Sequence, residues 1–254
     1  MRRGAGGGRP LVVRFGAMGD IIQATALLAG LAERWGAPCD LVAGSGGAPR
    51  RVLAHLPFVG EIVTLGSRRT PTLLSAEQRR LAAWLRGRPP GPVYAVEELP
   101  KVLRLLARGG VPADHVLSMR DLPRGDLEHA VAYHHRLLAT EPAAYRPAAP
   151  PPPADPAPAP RLAVTAEEAA DCRAWLAARG LGDAPLVLFQ TLSRRTKRGR
   201  WPVDRWREVA GAVLAELPAA RILLAGSPAE AAEVAALAAA LGDRRVEPAA
   251  TDLP

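Results

Sequence analysis

Residues 147–160 hold eight prolines in fourteen positions, separated almost wholly by alanine. Proline has no amide hydrogen and a locked φ, so such a run enters neither a helix interior nor a central strand. It extends instead as polyproline, at about 3.1 Å per residue. This segment is read as a linker between two domains, 1–146 and 161–254; the competing reading is a long surface loop within one domain. A chain of 254 residues has enough material for two domains of ordinary size.

On both sides of the proline run, short apolar stretches alternate with longer amphipathic ones. This is the rhythm of repeated β–α units around a parallel sheet. Strands are expected over 11–15, 40–43, 61–65, 93–96 and 115–118, with helices over 21–34, 50–55, 76–85, 100–108 and 126–139. Beyond the prolines, helices are expected over 166–178, 203–217 and 229–241, and strands over 186–189, 221–225 and from 245 onward. The second half then has fewer β–α units than a doubly wound domain normally carries, so it is expected to be incomplete.

Three segments carry the candidate chemistry. In the first, Arg14-Phe15-Gly16-Ala17-Met18-Gly19-Asp20 joins a strand to a helix. Gly16 and Gly19 would let the backbone turn and approach a ligand, but their spacing is neither the dinucleotide fingerprint nor a P-loop. Asp20 has two readings: a general base at the carboxyl end of the first strand, or a helix N-cap. In the second, Arg194-Arg195-Thr196-Lys197-Arg198-Gly199-Arg200 places five cations in seven residues ahead of Trp201-Pro202. It suits a diphosphate; a solvated basic loop is the alternative. Trp201 and Trp206 are expected to pack in the core beside it. In the third, Gly226 ends a strand and Glu230 opens the next helix, where it could hold a sugar hydroxyl or simply complement the helix dipole.

The balance of charge excludes less than it suggests. A net charge of +8 favours anionic partners without choosing among nucleic acid, nucleotide phosphates and acidic membrane surfaces. Zinc-finger, RNP and basic-zipper patterns are missing, so no specific nucleic acid is expected. Cys39 and Cys172 are far apart and are read as ordinary buried thiols of a reducing compartment. His134 and His135 are adjacent and so diverge on a helix, and His115, His129 and Cys172 have no ligand spacing; neither a metal nor a cofactor is expected. Residues 1–10 are Arg- and Gly-rich, with no signal-length apolar run behind them, which leads to the expectation of a cytoplasmic chain.

Two separated signatures in order then resemble glycosyltransferase family 9, the ADP-heptose:lipopolysaccharide heptosyltransferases. Leu11-Val12-Val13-Arg14 through Gly19-Asp20-Ile21-Ile22-Gln23-Ala24-Thr25 is similar to the family's opening R-x-x-x-x-G-D-x-x-x-x-T. Thr196-Lys197 through Trp201-Pro202-Val203-Asp204-Arg205-Trp206, with Leu223 through Glu230, is similar to the start of its second domain. The resemblance implies an α/β, GT-B type chain: two Rossmann-like doubly wound domains, here with the second incomplete, and the reaction in the cleft. It implies a first domain for a glycolipid or glycan acceptor, with Arg14, Gly16 and Gly19 in the acceptor-side loop and Asp20 as general base for inverting transfer. It also implies a second domain for a nucleotide-sugar donor of the ADP-heptose kind. There Lys197 neutralises the departing diphosphate, with Thr196, Arg198 and Arg200 beside it, and Glu230 contacts the nucleoside. Peripheral contact with the inner membrane face goes with such an acceptor. The sequence departs from the family in two places: Gly199 stands where the family has its lysine, and no D-T-G-x-x-H run follows. The expectation is therefore of a truncated chain with weakened or lost activity. The other readings are a transferase for a different nucleotide sugar and a non-catalytic anion- or RNA-binding α/β protein.

Overall fold

The computed structural model describes residues 7–44, 48–66, 75–97, 99–122, 124–125, 128–146, 159–191 and 201–251. The chain divides into two compact units, Met1–Ala163 and Val164–Pro254. The proline segment from 147 to 158 lies outside the described residues.

The first unit runs β1 (Leu11–Arg14), α1 (Met18–Gln23), α2 (Thr25–Trp35), β2 (Cys39–Ala43), α3 (Ala48–Leu53), β3 (Val59–Thr64), α4 (Ala76–Gly87), β4 (Val93–Ala95), α5 (Pro100–Arg108), β5 (Val116–Ser118) and α6 (Ala130–His135). Its five strands are all parallel, in the order β3-β2-β1-β4-β5. The central strands β1 and β4 are almost wholly apolar because both faces are covered, whereas the edge strand β3 carries the exposed Glu61. Side-chain alternation assigns Val12, Leu41, Ile62, Tyr94 and Leu117 to one face, against Leu27, Leu28 and Leu31 of α2 and Tyr133 and Leu137 near α6. Leu11, Val13, Val42, Val93 and Ala95 take the other face, against Leu81 and Leu85 of α4 and Val102, Leu105 and Leu106 of α5. Burying one such leucine contributes about 1.5–3 kcal/mol, so these two layers are the main stabilising term.

The strand order reverses beside β1: the chain first builds outward to β2 and β3, then crosses to β4 and β5 on β1's other side. Open α/β sheets present a crevice at that reversal, outside the carboxyl ends of the two central strands. Here those ends are Arg14 on β1 and Ala95 on β4.

The second unit runs α7 (Ala166–Ala177), β6 (Leu186–Gln190), α8 (Val203–Glu216), β7 (Arg221–Gly226), α9 (Ala231–Leu241) and β8 (Val246–Ala250). Its parallel sheet has the order β6-β7-β8. Phe189, Ile222, Leu224 and Val246 pack against Ala210 and Leu214 of α8 and Val234 and Leu241 of α9. Thr165 and Glu168 cap α7 reciprocally: the Thr165 hydroxyl accepts the Glu168 amide at 3.1 Å, and the Glu168 carboxylate accepts the Thr165 amide at 2.7 Å. The chain is thus α/β with two parallel sheets.

Several expected boundaries shift. The single helix expected over 21–34 is two, broken at Ala24, and the first begins three residues early at Met18. The Thr25 hydroxyl donates to the Ile22 carbonyl at 2.6 Å, competing with the helical ladder. The same oxygen accepts the Arg161 amide at 2.7 Å and so ties the returning chain to the first unit. The helix expected over 126–139 shortens to α6 followed by a 3₁₀ turn, Arg136–Ala139; residues 126 and 127 lie outside the described set. Pro228–Glu230 is likewise a 3₁₀ turn ahead of α9. Among the described residues, no helix is long and apolar enough to cross a membrane.

Candidate functional site

Where β1 ends, the chain turns through Phe15 and Gly16 to Ala17, which has extended geometry (φ −71°, ψ 167°) and stands at the N-cap of α1. Alanine has no oxygen to cap with. Asp20, third in the helix, reaches back instead: its Oδ2 accepts the Ala17 amide at 2.8 Å. The N-cap reading of Asp20 is therefore corrected. Asp20 caps from inside the first turn, where a carboxylate also complements the helix dipole. Gly16 is required by this arrangement, since a Cβ there would lie 2.6 Å from Asp20 Oδ2. A Cβ on Gly19 would meet no heavy atom within 4 Å, so that glycine faces open space.

Asp20 keeps its second oxygen for Arg14. Oδ1 lies 3.5 Å from Arg14 Nη2, and the Asp20 side chain remains 42% exposed. Arg14 is in turn fixed across the strand reversal. Its Nη1 donates to the Val96 carbonyl at 3.0 Å and to Glu97 Oε1 at 3.4 Å. Glu97, just past β4, is only 6% exposed, and its Oε1 also accepts the Phe15 amide at 2.6 Å. Glu97 was not among the residues singled out from sequence. An acidic residue directly after an apolar strand was the available signal, but which strand lies beside β1 is not visible locally.

His134 closes this neighbourhood from α6. It is 5% exposed, and burial, reinforced by Arg14 and opposed by Asp20, pushes its imidazole down to about 4. Its Nδ1 and the Nε of Arg14 are buried without a hydrogen-bond partner among the described residues. Setting His134 aside on its adjacency to His135 addressed metal ligation only and missed this position. Both histidines are in fact buried. At neutral pH, His134 therefore offers a neutral hydrogen-bonding group, while Asp20 is a half-exposed carboxylate with one oxygen pinned and the other beside a guanidinium. Such a group can accept a proton from an incoming hydroxyl.

In the second unit, Glu230 lies in the 3₁₀ turn before α9. Its Oε2 accepts the Ser227 amide at 2.9 Å and the Ser227 hydroxyl at 2.6 Å. Its carboxylate thus has a local capping role, at the carboxyl end of β7. Thr196, Lys197, Arg198 and Arg200 lie outside the described residues. Trp201 does not pack in the core as expected. It is 55% exposed and leans on Trp206, with ring centroids 5.1 Å apart, while Trp206 packs against the core. Pro202 caps α8 between them, leaving Trp201 outside the helix. Cys39 is buried, its thiol pushed upward by burial and by Asp40. Cys172 is exposed, contrary to expectation, because α7 buries none of its residues. Among the described residues, no three His, Cys, Asp or Glu side chains gather as a metal site.

No family model matches the sequence, and no curated protein matches it either. Solved structures do. The chain is similar to a glycosyl transferase of family 9 from Veillonella parvula, at 16% identity and a TM-score of 0.72, over 98% of this chain and 70% of that one. It is also similar to the ADP-heptose LPS heptosyltransferase II of E. coli, at 19% identity and a TM-score of 0.63, over 95% of this chain and 72% of that one. At such identities the likeness is one of fold: a GT-B type α/β chain with Rossmann-like sheets.

Proposed function

We propose that the chain is a glycosyltransferase of the family 9 kind, moving a sugar from a nucleotide-sugar donor to a glycan or glycolipid hydroxyl with inversion. The observation that carries this reading is Asp20. It is a half-exposed carboxylate at the carboxyl end of β1, beside the strand reversal, oriented by the Ala17 amide and Arg14. The fold likeness and the two sequence signatures support it.

In the proposed reaction, Asp20 takes the acceptor's hydroxyl proton as that oxygen bonds to the anomeric carbon. The bond from that carbon to the donor's diphosphate breaks, and the nucleoside diphosphate leaves with both electrons. Because the attack comes from the opposite face, the anomeric configuration inverts. The domain comprising 1–146, with Arg14, Gly16 and Gly19 lining its loop, takes the acceptor. The domain comprising 161–254, joined to it through 147–160, takes the donor. Lys197, with Thr196, Arg198 and Arg200, neutralises the leaving diphosphate, and Glu230 meets the nucleoside. Protein cations then do the work a metal ion does elsewhere. The finer reading is a heptose from an ADP-linked donor to a lipopolysaccharide core, at the cytoplasmic side of the inner membrane, where the net charge of +8 suits an anionic surface.

The test is transfer from a panel of nucleotide sugars, ADP-heptose among them, to a lipid A-core acceptor, with Asp20→Asn as control. Whatever turnover the wild type shows is expected to be lost in the variant. Salt-sensitive RNA binding without affinity for any nucleotide sugar would overturn the proposal.

A further inference from the structure

The candidate base is half exposed in the first turn of the short helix α1, yet general-base catalysis needs a carboxylate held within a few tenths of an ångström of its productive position. The Ala17 amide fixes Oδ2, but Ala17 is the N-cap of the same helix and would move with it. The anchor from outside the helix is Arg14, and Arg14 needs an anchor of its own. The structure assigns that role to Glu97: alongside the Val96 carbonyl, which accepts from Arg14 Nη1 at 3.0 Å, it is a positioning residue that holds Arg14, and through Arg14 Asp20, at the crevice between β1 and β4. This inference rests on Asp20 acting as the base.

Three observations carry it. Glu97 is buried at the end of β4, a carboxylate that must be paired to remain there. One oxygen, Oε1, takes both the Phe15 amide at 2.6 Å and Arg14 Nη1 at 3.4 Å, so a single group governs the first loop residue and the arginine before it. Glu97 is itself braced from β5, because the Ser118 hydroxyl donates to its backbone carbonyl at 3.3 Å. The line from β5 through β4 to β1 ends at Arg14 Nη2, 3.5 Å from Asp20 Oδ1. Glu97 has no need to touch the acceptor, and its effect travels through two contacts.

The discriminating experiment is a double-mutant cycle on turnover, with Glu97→Ala, Glu97→Gln and Asp20→Asn. Glu97→Ala is expected to lower kcat on the order of 10²-fold, the scale of a misplaced catalytic group, with donor KM unchanged. Glu97→Gln keeps an acceptor for the Phe15 amide and is expected to recover most of that loss. In the Asp20→Asn background, Glu97→Ala should cost less than about 2-fold more, because residues acting as a unit are non-additive. Additive losses, or a rise in donor KM instead of a fall in kcat, would overturn the assignment. A second readout needs no reaction. Glu97→Ala should speed amide exchange at both Phe15 and Ala17 while the amides of α2 keep their protection. Faster exchange at Phe15 with Ala17 unchanged would sink the relay even if transfer is never detected. A wild type without transfer but with the coupled exchange pattern would count against the proposed function alone.

Discussion

The two units use the same β–α grammar but differ in what covers the second face of the sheet. In the first unit both faces are packed, α2 and α6 on one side and α4 and α5 on the other. In the second, α8 and α9 fill one side, while the other, among the described residues, holds a small cluster of Leu181, Leu223 and Ala249 with Trp175 and Leu176. Leu188 on β6 is 66% exposed, and α7 buries no residue. An apolar run therefore specifies a strand without guaranteeing its burial. Burial depends on what packs against that face, so β1 (Leu11–Arg14) is almost wholly buried while β6 (Leu186–Gln190) is largely exposed.

The largest effect that would sharpen the contrast is catalytic. If the proton transfer belongs to the first unit, Asp20→Asn should cost about 10²–10⁴-fold in turnover with little change in melting temperature, measured by product formation beside calorimetry. Asparagine can still accept the Ala17 amide, so loss of the fold instead would mean that Asp20 is structural.

Next comes the core. Leu31, fully buried on α2, should cost about 2–5 kcal/mol on truncation to alanine. Leu188→Ala in the second unit should stay within about 0.5 kcal/mol. Denaturant melts of both variants would break the comparison if the two losses were equal.

The pH response should also differ, because all five histidines lie in the first unit. His134 sits at about 4 in the folded state against its ordinary 6.5. Below 6.5 the unfolded chain therefore takes the proton first, and stability falls with pH down to about 4, by on the order of 3 kcal/mol. His134→Gln should flatten that slope. In the second unit, Asp243 is pulled down to about 2 from 3.8, chiefly by its hydrogen bond to the Arg245 side chain. What it contributes is present above 3.8 and is lost only as pH falls toward 2. Hydrogen exchange across this range should show the first unit loosening earlier. The smallest expected effect is at this exposed pair: Asp243→Asn should be almost silent at neutral pH, since surface ion pairs contribute little.

Much of this was legible beforehand. The strand and helix positions follow from apolar periodicity. The linker expected over 147–160 falls mostly outside the described residues, while the loop from Arg14 to Asp20 was singled out on its glycines and its carboxylate. Two of the misses share one cause, a partner far away in the sequence. Ala24 breaks a helix because the Thr25 hydroxyl is drawn to a carbonyl and to Arg161, a partner 136 residues away. Trp201 was expected in the core, yet the proline that follows it caps α8 and leaves the indole outside. Glu97 stands 82 residues from the amide it accepts and carries no local mark of that contact.

The sequence alone determined the alternation of strands and helices, because periods of two and 3.6 are local properties; which of those residues were buried depended on what packed against each element. It marked Asp20 as a carboxylate at a helix start, but the structure moved that start back to Met18, which puts the carboxylate within reach of the Ala17 amide. Only the tertiary structure decided that β4 lies against β1, with Glu97 on Arg14 and His134 beside them. Parallel strands pair through crossovers, so the choice of neighbour is a property of the whole sheet and leaves no trace in any one segment.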